Sequence, residues 1–137
     1  MGCGLIAVYN IGVLSGNYID MRSIIYWFEQ NNGFILNGIF GVNPNVIKTF
    51  YDSMNIPATG FADTASLENS RTDRTGYYII CQWNNAYSID RGAHFYAVRD
   101  NGTKLNAYNG PSGVFDNFSL MLSDDNHGGL IYAYKIG

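Results

Sequence analysis

Three residues far apart in the chain could together do chemistry: Cys3, His94 and Asn109. A thiol nucleophile needs an imidazole beside it to take its proton, and the imidazole needs a third group to fix its tautomer and aim. Cys3 lies between Gly2 and Gly4, at the head of the apolar run Leu5 to Leu14, where the pattern predicts the start of a buried helix. The unpaired N–H groups and positive dipole end of a helix start favour an anion, so a cysteine there is biased towards thiolate. Glycines on either side carry no Cβ and leave room for a substrate carbonyl. The competing reading is that Cys3 is a small buried hydrophobe, as free cysteines commonly are. His94 decides between the two.

His94 follows Gly92-Ala93 at the opening of a β-rich run, where a side chain can face a cleft. Asp100-Asn101-Gly102 is a strong hairpin signal, with Thr103 to Tyr108 as the returning strand. A turn centred on Asn101-Gly102 sets His94 directly opposite Asn109, about 5 Å apart at Cβ. Taken singly these are a strand histidine and a turn residue before glycine. Together with Cys3 they make a Cys-His-Asn set for attack on a peptide or amide carbonyl, with Asn106 as the orienting residue if the strand carries a bulge. His127 falls in a polar turn and reads as surface, and Cys81 sits in mid-strand and reads as core.

Other elements must position this set. After the first helix, Asp20 caps a second one over Met21 to Gln30, whose Met21, Ile24, Ile25 and Phe28 share one face. A Gly-rich passage, Gly33 to Gly41, leads to Asn43-Pro44, an N-cap followed by proline, and a third helix to about Met54. Ala58 to Ala62 reads as a short strand. Asp63 to Arg74 is polar, with Ser-Leu-Glu-Asn able to make one helical turn, its charges read most simply as a solvated face. Strand periodicity follows at Tyr77–Trp83, Ala93–Arg99, Thr103–Tyr108 and Leu130–Lys135, with Val114 to Leu122 helical or irregular. Helices first and an antiparallel sheet afterwards is α+β organisation, with the first helix central and its start brought against the strand that carries His94.

At 137 residues, 47% hydrophobic and only 14% charged, the chain forms one globular domain over residues 1–137. A net charge of −3 and the absence of a basic stripe exclude a nucleic-acid partner. The 11 tyrosines suit core and sheet packing, or a cleft for a peptide or sugar. No run is long enough to span a bilayer, so no membrane insertion is expected. Cys3, Cys81, His94 and His127 show no zinc-ligand spacing, and neither metal nor cofactor is expected. Two cysteines are too few for a disulfide scaffold, although a single bridge between them stays open. The start lacks the basic segment of a signal peptide, and Ile6 stands where myristoylation needs Ser or Thr. The expected location is cytoplasmic if Met1 is the native start, and outside the cytoplasm if an upstream leader has been removed.

With these residues in place, the chain resembles the papain-like cysteine peptidases, most closely the double-glycine-leader peptidases of bacteriocin exporters and their free-standing relatives. In that family a Cys-Gly opens the central helix, a Gly-x-His-Phe opens a strand, and an Asp or Asn before Gly or Pro ends the next strand. Cys3-Gly4, Gly92-Ala93-His94-Phe95 and Asn109-Gly110-Pro111 fill those places in order, and Gly41-Val42-Asn43-Pro44 matches before the third helix. The resemblance implies a papain-like fold, a catalytic triad of Cys3, His94 and Asn109, and a peptide or protein substrate.

One family feature is missing. Such peptidases carry a glutamine several residues before the cysteine, whose side chain helps form the oxyanion hole, whereas only Met1 and Gly2 precede Cys3. The Cys3 N–H remains as a donor, Gln82 or Asn84 would have to substitute, or the residue lies upstream of Met1. Loss of one oxyanion donor costs on the order of 10²–10³ in rate. Three alternatives to a peptidase therefore stay open: a catalytically impaired module that binds a peptide such as a leader, an amide acyltransferase on the same triad, and a cell-wall peptide hydrolase, which would require export.

Overall fold

The computed structural model describes residues 2–33, 43–84, 93–123 and 128–137. In chain order these form α1 (Gly2–Ser15), α2 (Met21–Gln30), α3 (Pro44–Ser53), β1 (Ala58–Phe61), α4 (Thr64–Asn69), β2 (Gly76–Trp83), β3 (Ala93–Asp100), β4 (Leu105–Tyr108), β5 (Val114–Phe115), α5 (Phe118–Leu122) and β6 (Leu130–Ile136). The strands make one antiparallel sheet of order β1-β6-β2-β3-β4-β5. The architecture is α+β, as the residue pattern predicts. His127, Gly92 and the Gly41-Val42 pair lie outside the described residues.

The helix starts follow their caps. Asp20 accepts a hydrogen bond from the Arg22 N–H at 3.1 Å, and Asn43 accepts one from the Asn45 N–H at 3.0 Å with Pro44 in the first helical position. α1 is apolar nearly all round, and its Leu5, Ala7, Val8 and Ile11 are buried. They pack with Ile24 and Phe28 of α2, Ile47 and Phe50 of α3, and the sheet residues Ile79, Cys81, Phe95 and Ala97. The opposite face of the sheet carries a second core: Tyr78, Ile80, Tyr96, Val98 and Leu105 pack against Leu67 of α4 and Phe118, Met121 and Leu122 of α5. Burial on both faces explains why β2 and β3 read as continuous apolar runs rather than alternating ones.

Two expectations need correction. The polar stretch 63–74 is more than a solvated face. Asp63 caps α4 through the Ser66 N–H at 2.7 Å, Leu67 is fully buried, and Arg71 makes a two-pronged ion pair with Asp100 at 2.7 and 3.2 Å. Asp100 is 1% exposed, so this pair sits inside the fold, where Arg71 also reaches Glu68 and the carbonyls of Thr103 and Asp116.

The β3–β4 register is the second. The ladder pairs Ala97 with Tyr108, Val98 with Ala107, Arg99 with Asn106 and Asp100 with Leu105, so the turn centres on Gly102-Thr103. Continued, it would set Tyr96, not His94, across from Asn109. Side-chain oxygens cause the shift: Asn101 Oδ1 accepts from the N–H groups of Thr103 and Lys104, and Asp100 Oδ1 accepts from the Gly102 N–H. Gly102 has φ +101°, and a Cβ there would come within 2.9 Å of the Asp73 carbonyl oxygen.

Candidate functional site

α1 runs along the sheet face with its N-terminus at the end of β3 where β4 stops. β4 pairs with β3 only from Ala97 to Asp100, so Ala93 to Tyr96 have no ladder partner in β4. Cys3, in the first turn of α1, approaches this stretch. Its sulfur hydrogen-bonds the His94 side chain and accepts from the Phe95 N–H. By strand alternation His94 lies on the side of Tyr96, with ring centroids 5.7 Å apart, whereas α1 packs on the other side. Sulfur and imidazole meet beside this stretch of β3, and both residues are partly exposed.

Asn109 joins them through an unexpected atom. His94 Nε2 hydrogen-bonds the main-chain carbonyl of Asn109, not its side-chain amide. The residue sits just past the end of β4 in the left-handed conformation, φ 63°, which asparagine tolerates better than most side chains. A carbonyl can only accept, so Nε2 carries a proton, and Nδ1 is left to face the sulfur. Opposed strand pairing, the expected route to this contact, plays no part. A bend in the backbone after Tyr108 takes its place.

The charges follow from the contacts. Burial alone would raise the Cys3 thiol, but the hydrogen bonds from His94 and the Phe95 N–H and the nearby imidazolium charge outweigh it and hold the thiol below its ordinary value. His94 is raised above the usual imidazole range by its hydrogen bond to Cys3, against partial burial, with further help from the Asn109 carbonyl and the thiolate charge. The opposed shifts favour a thiolate–imidazolium pair. Cys81 behaves oppositely: burial first, and the Cys3 charge second, push its thiol up to about 12. Both cysteines are free, so the bridge between them is not formed.

Residue-by-residue reading missed the framework behind His94. Gln82, fully buried and cross-strand from His94, donates to the carbonyls of Leu122 and Gly128 at 2.9 and 2.8 Å and accepts from the Tyr96 hydroxyl at 2.7 Å. Its amide is therefore committed inside the fold and is not free to serve as an oxyanion donor. Asn84 lies exposed just beyond β2. Gly110 packs its backbone on Tyr96, where a Cβ would fall 2.6 Å from the ring. A buried glutamine in an otherwise apolar strand was the signal in the sequence that could have pointed to this network.

Among the described residues no group of three His, Cys, Asp or Glu side chains gathers as a metal site, and no helix is long and apolar enough to cross a membrane. Compared with models of protein families, with curated proteins and with solved structures, the chain matches none of them.

Proposed function

We propose that the protein is a papain-like thiol hydrolase that cleaves a peptide or amide bond, with Cys3 as nucleophile, His94 as general base and acid, and Asn109 orienting the ring through its carbonyl. The observation that carries this reading is the series Cys3 sulfur, His94 ring, Asn109 carbonyl at the N-terminus of a buried helix. The Cys3 thiolate adds to the substrate carbonyl carbon and forms a C–S bond. The resulting oxyanion takes hydrogen bonds from N–H groups at the start of α1, which have no partner within the helix. Collapse of this intermediate breaks the C–N bond as the Nδ1 proton of His94 passes to the leaving amine. Water then attacks the thioester, giving a proton back to His94 Nδ1. The C–S bond breaks, the carboxylic acid leaves and the thiolate is restored.

Two measurements test the reading. Iodoacetamide near neutral pH should label Cys3 stoichiometrically and leave Cys81 untouched. A fluorogenic peptide library should show turnover that disappears in both Cys3→Ala and His94→Ala. Preferential labelling of Cys81, or turnover surviving Cys3→Ala, would sink it.

One observation favours a second reading, a non-catalytic peptide-binding module on the same cleft. Gln82, the amide the sequence offered as an oxyanion donor, is wholly engaged in buried hydrogen bonds. Saturable binding of a library peptide that is never cleaved by the native protein, Cys3 being labelled normally, would favour this module over the hydrolase.

A further inference from the structure

The dipeptide Asn-Gly occurs at 32–33, 37–38, 101–102 and 109–110, and 37–38 lies outside the described residues. Asn-Gly can modify itself. The glycine N–H, unshielded by any Cβ, attacks the asparagine side-chain carbonyl carbon when neither group is held elsewhere. At two of these pairs they are held. The Gly33 N–H donates to the Phe28 carbonyl at 2.7 Å. The Gly102 N–H donates to Asp100 Oδ1 at 2.9 Å, and Asn101 Oδ1 accepts from the Thr103 N–H, the Thr103 hydroxyl and the Lys104 N–H.

Asn109-Gly110 differs. Among the described residues neither the Gly110 N–H nor the Asn109 side-chain amide has a hydrogen-bond partner, and both residues are exposed. They lie between β4 and β5, so this peptide can turn without breaking a ladder bond. His94 assists: it bonds the carbonyl of the same peptide, and a donor there draws charge from the peptide nitrogen and eases loss of its proton. We propose that Asn109-Gly110 is a self-modification site whose isoaspartyl product replaces the neutral carbonyl that holds His94 with a carboxylate. The Gly110 nitrogen loses its proton and bonds to Cγ of Asn109, the C–N bond of the side-chain amide breaks, and ammonia leaves carrying that proton. Water then opens the succinimide ring. Addition at the former main-chain carbonyl carbon breaks its bond to the Gly110 nitrogen, so the chain runs on through Cβ and Cγ. The oxygen that accepted from Nε2 then belongs to a carboxylate. Addition at Cγ gives aspartate on an unaltered main chain. The proposal rests on the contact of His94 with Asn109 and on no step of the hydrolase reading.

The test ages the full chain in mildly alkaline buffer, where the peptide N–H ionises more readily, and follows each Asn-Gly pair by peptide mass spectrometry. Conversion at Asn109 should outrun that at Asn32 and Asn101 by about tenfold or more, the size of one hydrogen bond held or free. Part of the product should be isoaspartate, identified by labelling with an isoaspartyl methyltransferase. The converted protein carries an added negative charge and separates on anion exchange. In its isoaspartyl fraction the His94 ring, followed by NMR, should titrate about one pH unit higher than in fresh protein, because a carboxylate at Nε2 favours the imidazolium. No readout depends on turnover, so the result is independent of whether the protein cleaves a peptide. Conversion at Asn32 or Asn101 as fast as at Asn109, aspartate without isoaspartate, or an unmoved His94 titration would each overturn the proposal.

Discussion

The carbonyl oxygen of Asn109, and not its side-chain amide, holds Nε2 of His94. An amide side chain can present either its oxygen or its NH₂ group and so leaves the tautomer open. A carbonyl settles it. The neutral ring then keeps its lone pair on Nδ1, the nitrogen towards Cys3, which suits a base that must take a thiol proton.

It follows that the side chain of Asn109 matters for conformation more than for contact. Asn109→Gly keeps the carbonyl and accepts φ 63° without strain, so it should leave the rate and pH dependence of Cys3 alkylation unchanged. Asn109→Ala should cost about 1–2 kcal/mol of stability for a Cβ in the left-handed region, measured by urea unfolding, and should still alkylate. A collapse of alkylation in Asn109→Gly would show that the amide is the working group.

The opposed pKa shifts set the pH behaviour. Cys3 lies below its ordinary value, so its thiolate persists to lower pH than that of a free thiol and is lost on passing the lowered value. The alkylation rate should therefore hold its plateau to lower pH than that of a free cysteine and drop below it. In His94→Ala the lowering contacts from the ring vanish while burial remains, so the drop should move to about 8.5, the free-thiol value, or above. An identical profile in the variant would show that the two residues are not coupled.

Gly110 fixes the approach of the Asn109 carbonyl through its contact with Tyr96. In Gly110→Ala the new methyl group would lie 2.6 Å from a fully buried ring, which has nowhere to go. The expected cost is about 1–3 kcal/mol, as for other overpacked sites, with the acid limb of the alkylation profile shifted upward as the carbonyl leaves Nε2. Loss of stability with no change in the profile would separate Gly110 from the site.

Tyr96 and Gln82 should be energetically coupled. Tyr96→Phe leaves Gln82 Oε1 buried without its donor and should cost about 1–3 kcal/mol. On a Gln82→Leu background the same substitution should cost much less, because the oxygen it would orphan is already gone. Equal costs on the two backgrounds would mean that the hydrogen bond contributes nothing.

The buried ion pair gives a stability prediction away from the site. Arg71→Met leaves Asp100 with no cation, inside the fold, and should destabilise by about 3–5 kcal/mol in chemical unfolding. The exposed pair of Lys48 and Asp52 on α3 should be worth no more than about 0.5 kcal/mol when broken.

What could be read from the residues was local. Asp20 and Asn43-Pro44 mark helix starts because their side chains cap the nearest N–H groups, and α1, β2 and β3 announce themselves by period and length. Cys3 and His94 carried recognisable surroundings in glycine and alanine. What escaped depends on distant partners. The turn slid by one residue because Asn101 and Asp100 offer oxygens to N–H groups beyond the expected loop. Arg71 looked solvated because its partner lies 29 positions away on β3, and Gln82 looked like a spare amide because its three partners are scattered over 46 positions. The working atom of Asn109 is main chain, which no residue type can disclose.

The order of the strands bears on how the chain comes off the ribosome. Among the described residues β6 follows every other strand in sequence, yet it lies inside the sheet between β1 and β2, and it is the only described strand that pairs with β1. Until residues 130–136 emerge, β1 has no partner and β2 presents an open edge with apolar groups on both faces. Such pairings between distant segments form slowly, and open edges invite a neighbouring chain. A nascent chain stalled before residue 130 would therefore be the form most in need of a chaperone, although its α1 and the β2–β3 ladder beside Cys3 would already have been synthesised.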